Sequence, residues 1–297
     1  MATIIEIRAS NPETTEQLGS KPKFWFRLYD SESKRDERLW LFKYSRSTAG
    51  ESWSEKVACD IAELLEVEHP LVELAEFEGK HGCASRKFLA PNQGEDLIHG
   101  SELLAGHVTG YDKDKVRKHK DHSLKNIFAA LKALVPETEL PALHMKFAGY
   151  MFLDALICNT DRHHDNWGML RSLTASGASY WLAPSFDHAS SLGRELLDEK
   201  RKLLLESRQV EAYINKGHGG IFWGDEDVKG ENPLQLVLKA RQEHPACFAP
   251  WEERLKSLAS ADFERIISNI PADWMSPLAK DFSLELLNIT AARLRRT

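Results

Sequence analysis

Asn159-Thr160-Asp161-Arg162-His163-His164-Asp165-Asn166-Trp167-Gly168 is the stretch that decides the fold. It directly follows the most apolar run of the chain, Phe147 to Cys158, whose single acid is Asp154. That run is too short to span a bilayer and is apolar nearly all round, so the sequence predicts a buried central helix over Ala142 to Cys158. Beyond the loop, Trp167-Gly168-Met169-Leu170 and Tyr180-Trp181-Leu182-Ala183 predict a short hairpin around Thr174-Ala175-Ser176-Gly177. Ser185-Phe186-Asp187-His188 comes next. Asp161 and Asn166 stand five positions apart, and Asp187 follows Asn166 by 21.

Upstream, the first 90 residues read as β-rich. Phe24 to Leu28 and Leu39 to Tyr44 are aromatic-rich and of strand length, joined by a polar stretch from Asp30 to Glu37. In the second strand Leu39, Leu41 and Lys43 share a face. Glu51 to Glu66 predicts an amphipathic helix through Val57, Ile61, Leu64 and Leu65, with Ser52 or Ser54 as its cap and Glu55 in its first turn. Leu71 to Phe77 and Cys83 to Leu89 predict two more strands. Ala90-Pro91-Asn92-Gln93-Gly94 is turn-rich and marks the expected lobe boundary. Further helices are predicted over Ser123 to Leu134, Leu234 to Glu243, Trp251 to Leu258, Ala261 to Ile270 and Leu284 to Leu294. The expected class is α+β, with a small β-rich N-lobe over 1–90 and a larger, mainly helical C-lobe over 91–297.

With 297 residues, 42% hydrophobic and 28% charged, the chain has material for one large domain or two lobes. Its formal net charge of -6 makes nucleic acid an unexpected direct partner. Cys59, Cys83, Cys158 and Cys247 form no C-x-x-C pair and suit a reducing cytoplasm. No secretory signal or membrane segment is expected. The basic run Lys113-Asp114-Lys115-Val116-Arg117-Lys118-His119-Lys120 reads as a solvated face, with an acidic partner surface as the alternative. His163-His164-Asp165 lacks the i, i+4 spacing of a helical zinc pair.

Phosphoryl transfer requires a carboxylate to orient the acceptor hydroxyl, and an amide and a second carboxylate to hold Mg²⁺. It also requires a lysine, itself positioned by a glutamate, to grip the phosphates. Asp161, Asn166, Asp187, Lys43 and Glu55 occur in the order these parts require. Gly19-Ser20-Lys21-Pro22-Lys23 precedes the first of the two aromatic-rich strands and is a candidate phosphate-covering loop, its glycine permitting close backbone approach.

Together with Leu182-Ala183-Pro184-Ser185-Phe186-Asp187-His188 and Ser190-Ser191-Leu192-Gly193, the loop resembles the HipA-like kinases, bacterial serine/threonine kinases that are often toxins of toxin–antitoxin pairs. The Asp-Arg-His-x-x-Asn core is also similar to phosphatidylinositol 3- and 4-kinases. The resemblance implies a two-lobed protein-kinase-like fold that binds ATP and Mg²⁺ between its lobes. It implies Asp161 as the catalytic carboxylate, with Asn166 and Asp187 as Mg²⁺ ligands. Lys43 would contact the ATP phosphates and pair with Glu55, and Gly19, Ser20 and Lys21 would belong to the phosphate loop. Arg86-Lys87-Phe88-Leu89 would be the hinge that meets adenine, and His163 would structure the loop. A protein substrate and a separate antitoxin chain are the implied partners. The loop around Gly19 has one glycine where eukaryotic protein kinases have three, and full-length HipA toxins carry an additional N-terminal subdomain. Two other functions remain open at this level: a lipid or small-molecule kinase, and an inactive kinase fold acting as a binding module.

Overall fold

The computed structural model describes residues 2–8, 12–15, 22–28, 39–46, 50–89, 94–174, 177–224 and 227–296. The first sheet is built from β1 (Ile4–Ile7), β2 (Pro12–Thr15), β3 (Lys23–Arg27), β4 (Leu39–Tyr44), β5 (Val72–Phe77) and β6 (Lys80–Arg86), in the order β1-β5-β6-β4-β3-β2. β1 runs parallel to β5, and every other neighbouring pair is antiparallel. One face of the sheet carries Phe24, Phe26, Trp40, Phe42, Ala75, Phe77 and Ala84 in a single buried cluster. Phe24 packs against Phe77 and Phe42 at ring-centroid separations of 4.9 and 5.2 Å. The period of two then sends Leu39, Leu41 and Lys43 to the opposite face. There Lys43 lies opposite Cys83, which pairs in turn with Leu74.

Helix α1 (Glu51–Leu64) covers that second face, packing on β5 and β6. Val57, Ala58, Ile61, Ala62 and Leu65 join the large core of the other lobe rather than the aromatic cluster. Neither Ser52 nor Ser54 caps the helix: it begins at Glu51 with Gly50 as N-cap, so both serines lie inside it and both are buried. Ser54 Oγ donates to Ser191 O at 3.0 Å. Glu55 therefore lies at the start of the second turn and is buried.

The second sheet has the order β7-β8-β9, all antiparallel, from β7 (Glu95–His99), β8 (Gly168–Thr174) and β9 (Gly177–Leu182). The helices are α2 (Gly100–His107), α3 (Leu124–Lys132), α4 (Leu140–Ile157), α5 (Asp198–Glu206), α6 (Val210–Lys216), α7 (Pro233–Glu243), α8 (Pro245–Ser257), α9 (Ser260–Asn269) and α10 (Pro277–Arg295). α4 is the axle of this lobe. It is buried without interruption from Phe147 to Ile157 and packs against α3, α7, α8 and α10. It ends at Cys158 in the left-handed region (φ 55°), which turns the chain out of the helix and into the loop beginning at Asn159. The chain thus has a two-lobed, kinase-like α+β fold, and the decisive polar loop emerges from the buried end of its central helix. Of the residues expected to mark the lobe boundary, 90–93 lie outside those described, as do Gly19, Ser20 and Lys21.

Candidate active site

A buried ion pair organises the loop after α4. Arg162 Nε and Nη2 donate to the two carboxylate oxygens of Asp154, each at 2.8 Å. Nη1 donates to Asn166 O at 2.6 Å and to Phe186 O at 3.2 Å, and Nη2 reaches Ser185 Oγ at 3.0 Å. One guanidinium thereby fixes the helix, the polar loop and the loop after β9 together, using the planar fork that only arginine offers. Burial works against its charge, but the Asp154 carboxylate holds its pKa above the ordinary range. Asp154 also accepts from Asn159 Nδ2 at 2.8 Å, and Asn159 Oδ1 accepts from Asp161 N at 3.1 Å.

Asp161 is thereby held by its backbone, while its carboxylate lines an open cavity of about 790 Å³. Ser190 Oγ approaches Asp161 Oδ2 at 3.4 Å. Asn166 Nδ2 donates to Asp161 O at 2.7 Å, which leaves its amide oxygen as the atom able to meet a cation. His163 Nδ1 accepts from Asp165 N at 3.2 Å, and His163 N donates to Asp161 O at 2.8 Å, so this side chain and its backbone brace the loop turn.

Asp187 sits at φ 60°, in the left-handed region that few non-glycine residues adopt. Such backbone positions concentrate where function demands a particular side-chain direction. Its Oδ1 accepts from Lys43 Nζ at 3.3 Å, joining the first sheet to the loop after β9. Burial would lower the Lys43 pKa, but the carboxylates of Asp187 and Glu55 outweigh it and hold the ammonium above its ordinary range. The ammonium bonds Asp187 rather than Glu55. Glu55 Oε1 instead accepts the backbone N–H of His188 at 3.0 Å, and its Oε2 is buried with no hydrogen-bond partner among the described residues. Burial favours the protonated acid at Glu55, but the His188 hydrogen bond and the Lys43 charge together hold its pKa low.

The expected hinge borders the same cleft. The ring of Phe88 stacks on that of Phe186 at 5.8 Å, directly beside Asp187. Lys87 is engaged elsewhere: its N–H donates to Leu39 O at 2.8 Å and its ammonium lies 5.3 Å from the centre of the Trp25 ring. The Lys87 backbone N–H is thereby occupied.

Several parts of the site have no counterpart in the sequence reading. The Asp154–Arg162 pair is one. The glycine-rich segment Lys216-Gly217-His218-Gly219-Gly220 is another, and its low side-chain content is the signal that marks it. It lies against the polar loop so closely that a Cβ at Gly220 would come within 2.6 Å of Arg162 O. His122 Nδ1 donates to Gly220 O at 2.8 Å, while His122 Nε2 accepts from Trp167 Nε1 at 3.0 Å. Both ring nitrogens are used by a neutral imidazole, and burial lowers its pKa to about 3.

The arrangement provides one carboxylate beside an open cavity, an amide oxygen and a carboxylate of the kind that hard cations prefer, and a charged lysine between the lobes. The fold is shared with solved structures, two of which are the following. The Helicobacter pylori proinflammatory kinase CtkA superposes with a TM-score of 0.76 and 21% identity, covering 95% of this chain and 92% of that one. A chain from the complex of Shewanella oneidensis MR-1 HipA with HipB and operator DNA gives a TM-score of 0.53 and 12% identity, covering 96% of this chain and 65% of that one. No curated protein sequence matches the chain. The family described as HipA-like C-terminal domain matches residues 17–223, and the chain belongs to that family.

Proposed function

We propose that the protein is an ATP- and Mg²⁺-dependent kinase that transfers the γ-phosphoryl group to a serine or threonine hydroxyl of a protein. The observation that supports this reading is the chain of contacts in which Asn166 Nδ2 bonds Asp161 O, Arg162 ties Asn166 to Phe186, and Lys43 bonds Asp187, while Asp161 opens onto a cavity large enough for an acceptor. Asp161 would accept the hydroxyl proton and orient the nucleophile. Lys43 would lie along the phosphates, and Glu55, with one buried oxygen lacking a partner, is built to receive that ammonium. Asn166 and Asp187 fit Mg²⁺ because both offer oxygen ligands. When bound, Mg²⁺ neutralises charge developing on the β- and γ-phosphates. The division into an N-lobe over 1–90 and a C-lobe over 91–297 belongs to the same proposal.

The kinship with CtkA supports a kinase assignment, and the HipA relative, seen in complex with HipB, supports a separate antitoxin chain as partner. Among the described residues, no helix is long and apolar enough to cross a membrane. The test is labelled-ATP phosphorylation in lysate with the Asp161→Ala protein alongside. A labelled protein band is expected with the wild type and should fall by about 10²- to 10⁴-fold in the variant. Equal labelling by the two proteins would end the proposal.

A further inference from the structure

The cavity beside Asp161 has a charge character opposite to that of the chain. The protein carries a formal net charge of -6, yet Arg46, Arg117, Lys118, Lys216 and Lys229 all line this one cavity. All five are exposed, and none is held in an ion pair among the described residues. The lining acids other than Asp161 are already engaged. Glu51 is held by Arg194 at 3.1 Å, and Glu195 accepts from Tyr213 Oη at 2.6 Å. The hydrogen bond from neutral Tyr213 leaves Glu195 charged, so five exposed cations face two carboxylates without a cation partner, Glu195 and Asp161, and the excess is positive. Clefts lined by one sign of charge concentrate ligands of the other.

The cations come from separate chain segments: the end of β4, the loop before α3, the C-terminal end of α6 and the loop before α7. A lone phosphate is usually gripped by converging, ordered donors. Dispersed, exposed cations instead match several carboxylates strung along an extended chain. Exposed Val116 adds an apolar contact beside Arg117 and Lys118, which suits the side chains of a polypeptide better than a bare inositol ring.

The floor is tied rigidly to the reacting end. Phe222 N donates to His122 O at 2.9 Å and Leu124 N to Phe222 O at 3.1 Å, while Gly220 lies against the backbone of Arg162 and His163. A segment seated on residues 217–222 would thus be positioned relative to Asp161 by short, mostly backbone connections.

We infer that this cavity is the acceptor subsite and that it selects a polypeptide segment whose target hydroxyl is flanked by aspartate or glutamate. The inference rests on the kinase reading above and adds the substrate class. The test uses the full chain with Mg²⁺ and ATP and three serine peptides of one length, flanked by Asp/Glu, Ala or Lys/Arg. ATP turnover without peptide is followed in parallel, and binding of fluorescent versions of the peptides is measured by anisotropy. The acidic peptide should have a kcat/KM about tenfold above the others, a margin that shrinks as salt rises. In the Lys216→Glu/Lys229→Glu protein the preference should turn toward the Lys/Arg peptide, a reversal that mere loss of structure would not produce. ATP turnover with no preference for the acidic peptide would overturn the inference and leave the kinase reading standing. Salt-sensitive binding of the acidic peptide with neither phosphorylation nor ATP turnover would keep the acidic-segment site and overturn the kinase reading. Preferential phosphorylation of phosphatidylinositol vesicles or soluble inositol phosphates would overturn the polypeptide assignment.

Discussion

Lys43 Nζ lies 3.3 Å from Asp187 Oδ1, so one ammonium spans 144 residues of sequence and joins β4 to the loop after β9. The contact opposes any cation that would bind Asp187. In the Lys43→Met protein, divalent cation affinity without nucleotide should therefore rise while phosphoryl transfer falls. Because the Asp187 side chain is 42% exposed, the gain should be modest, up to about fivefold. Mn²⁺ titration followed by electron paramagnetic resonance measures it. Weaker Mn²⁺ binding in the variant would show that the ammonium does not compete for Asp187.

The Asp154–Arg162 pair should dominate the stability of the catalytic loop. Removing one member of a buried, hydrogen-bonded ion pair leaves an uncompensated charge, at a cost of about 3–5 kcal/mol. Arg162→Met is expected to destabilise by that amount in urea unfolding. Adding Asp154→Leu should recover part of the loss, but not all of it, because Arg162 also serves Asn166 O, Phe186 O and Ser185 Oγ. Strict additivity of the two substitutions would mean that the pair is not coupled.

Acid should weaken the fold through His122. Its pKa is 6.5 when unperturbed and about 3 in the folded protein. Between those values the unfolded chain binds a proton that the folded chain does not. Its stabilising contribution is complete above pH 6.5 and declines as the pH falls toward 3, by about 1.4 kcal/mol per unit well inside that window. Denaturant midpoints at pH 7 and pH 5 should differ in the wild type. The difference should be smaller in His122→Gln, which keeps polar groups near Gly220 and Trp167. An unchanged pH dependence in the variant would assign the effect to other groups, of which buried His164, whose pKa is also lowered by burial, is the nearest.

Gly220→Ala should disturb both the cavity floor and the loop it touches. The added Cβ would meet Arg162 O at 2.6 Å and His163 N at 2.9 Å, and these are backbone atoms with little freedom to yield. A cost of about 1–3 kcal/mol is expected. A loss of kcat exceeding any change in nucleotide affinity should accompany it. A variant with wild-type stability and kinetics would show that the segment shifts freely.

Much of this architecture was legible because its elements have strong periodicity. The apolar run from Phe147 to Cys158 is the buried end of α4, and the spacing of Val57, Ile61 and Leu65 marks α1. Alternation on β4 put Lys43 on the face away from Trp40 and Phe42, which is the face α1 covers. Elements with weak apolar contrast were missed. β7 begins with two acids, and α5 buries only Arg201 and Leu204 while leaving Leu203 exposed. α8 starts at Pro245 rather than Trp251, since Pro250 is accommodated inside the helix instead of preceding it. Within the site, residue types and spacing identified Asp161, Asn166 and Asp187 as candidates. They could not show that Lys43 bonds Asp187, nor that a glycine-rich segment 55 to 59 residues beyond Asp161 forms the adjoining cavity floor, because both depend on tertiary packing.

On the side of the molecule where α9 meets α1, two ties join the lobes. Ala2 N donates to Asn269 O at 2.8 Å, and the imidazole of His81 stacks flat on Trp274 at 3.8 Å. One tie precedes β1, beside β5, and the other sits on β6, so both attach the first sheet to the α9 end of the large lobe. Because Ser45 N donates to His81 O at 3.0 Å, the segment just beyond Lys43 is bonded directly to one of these ties. Lys43 therefore reaches Asp187 from an anchored strand, not from a free edge.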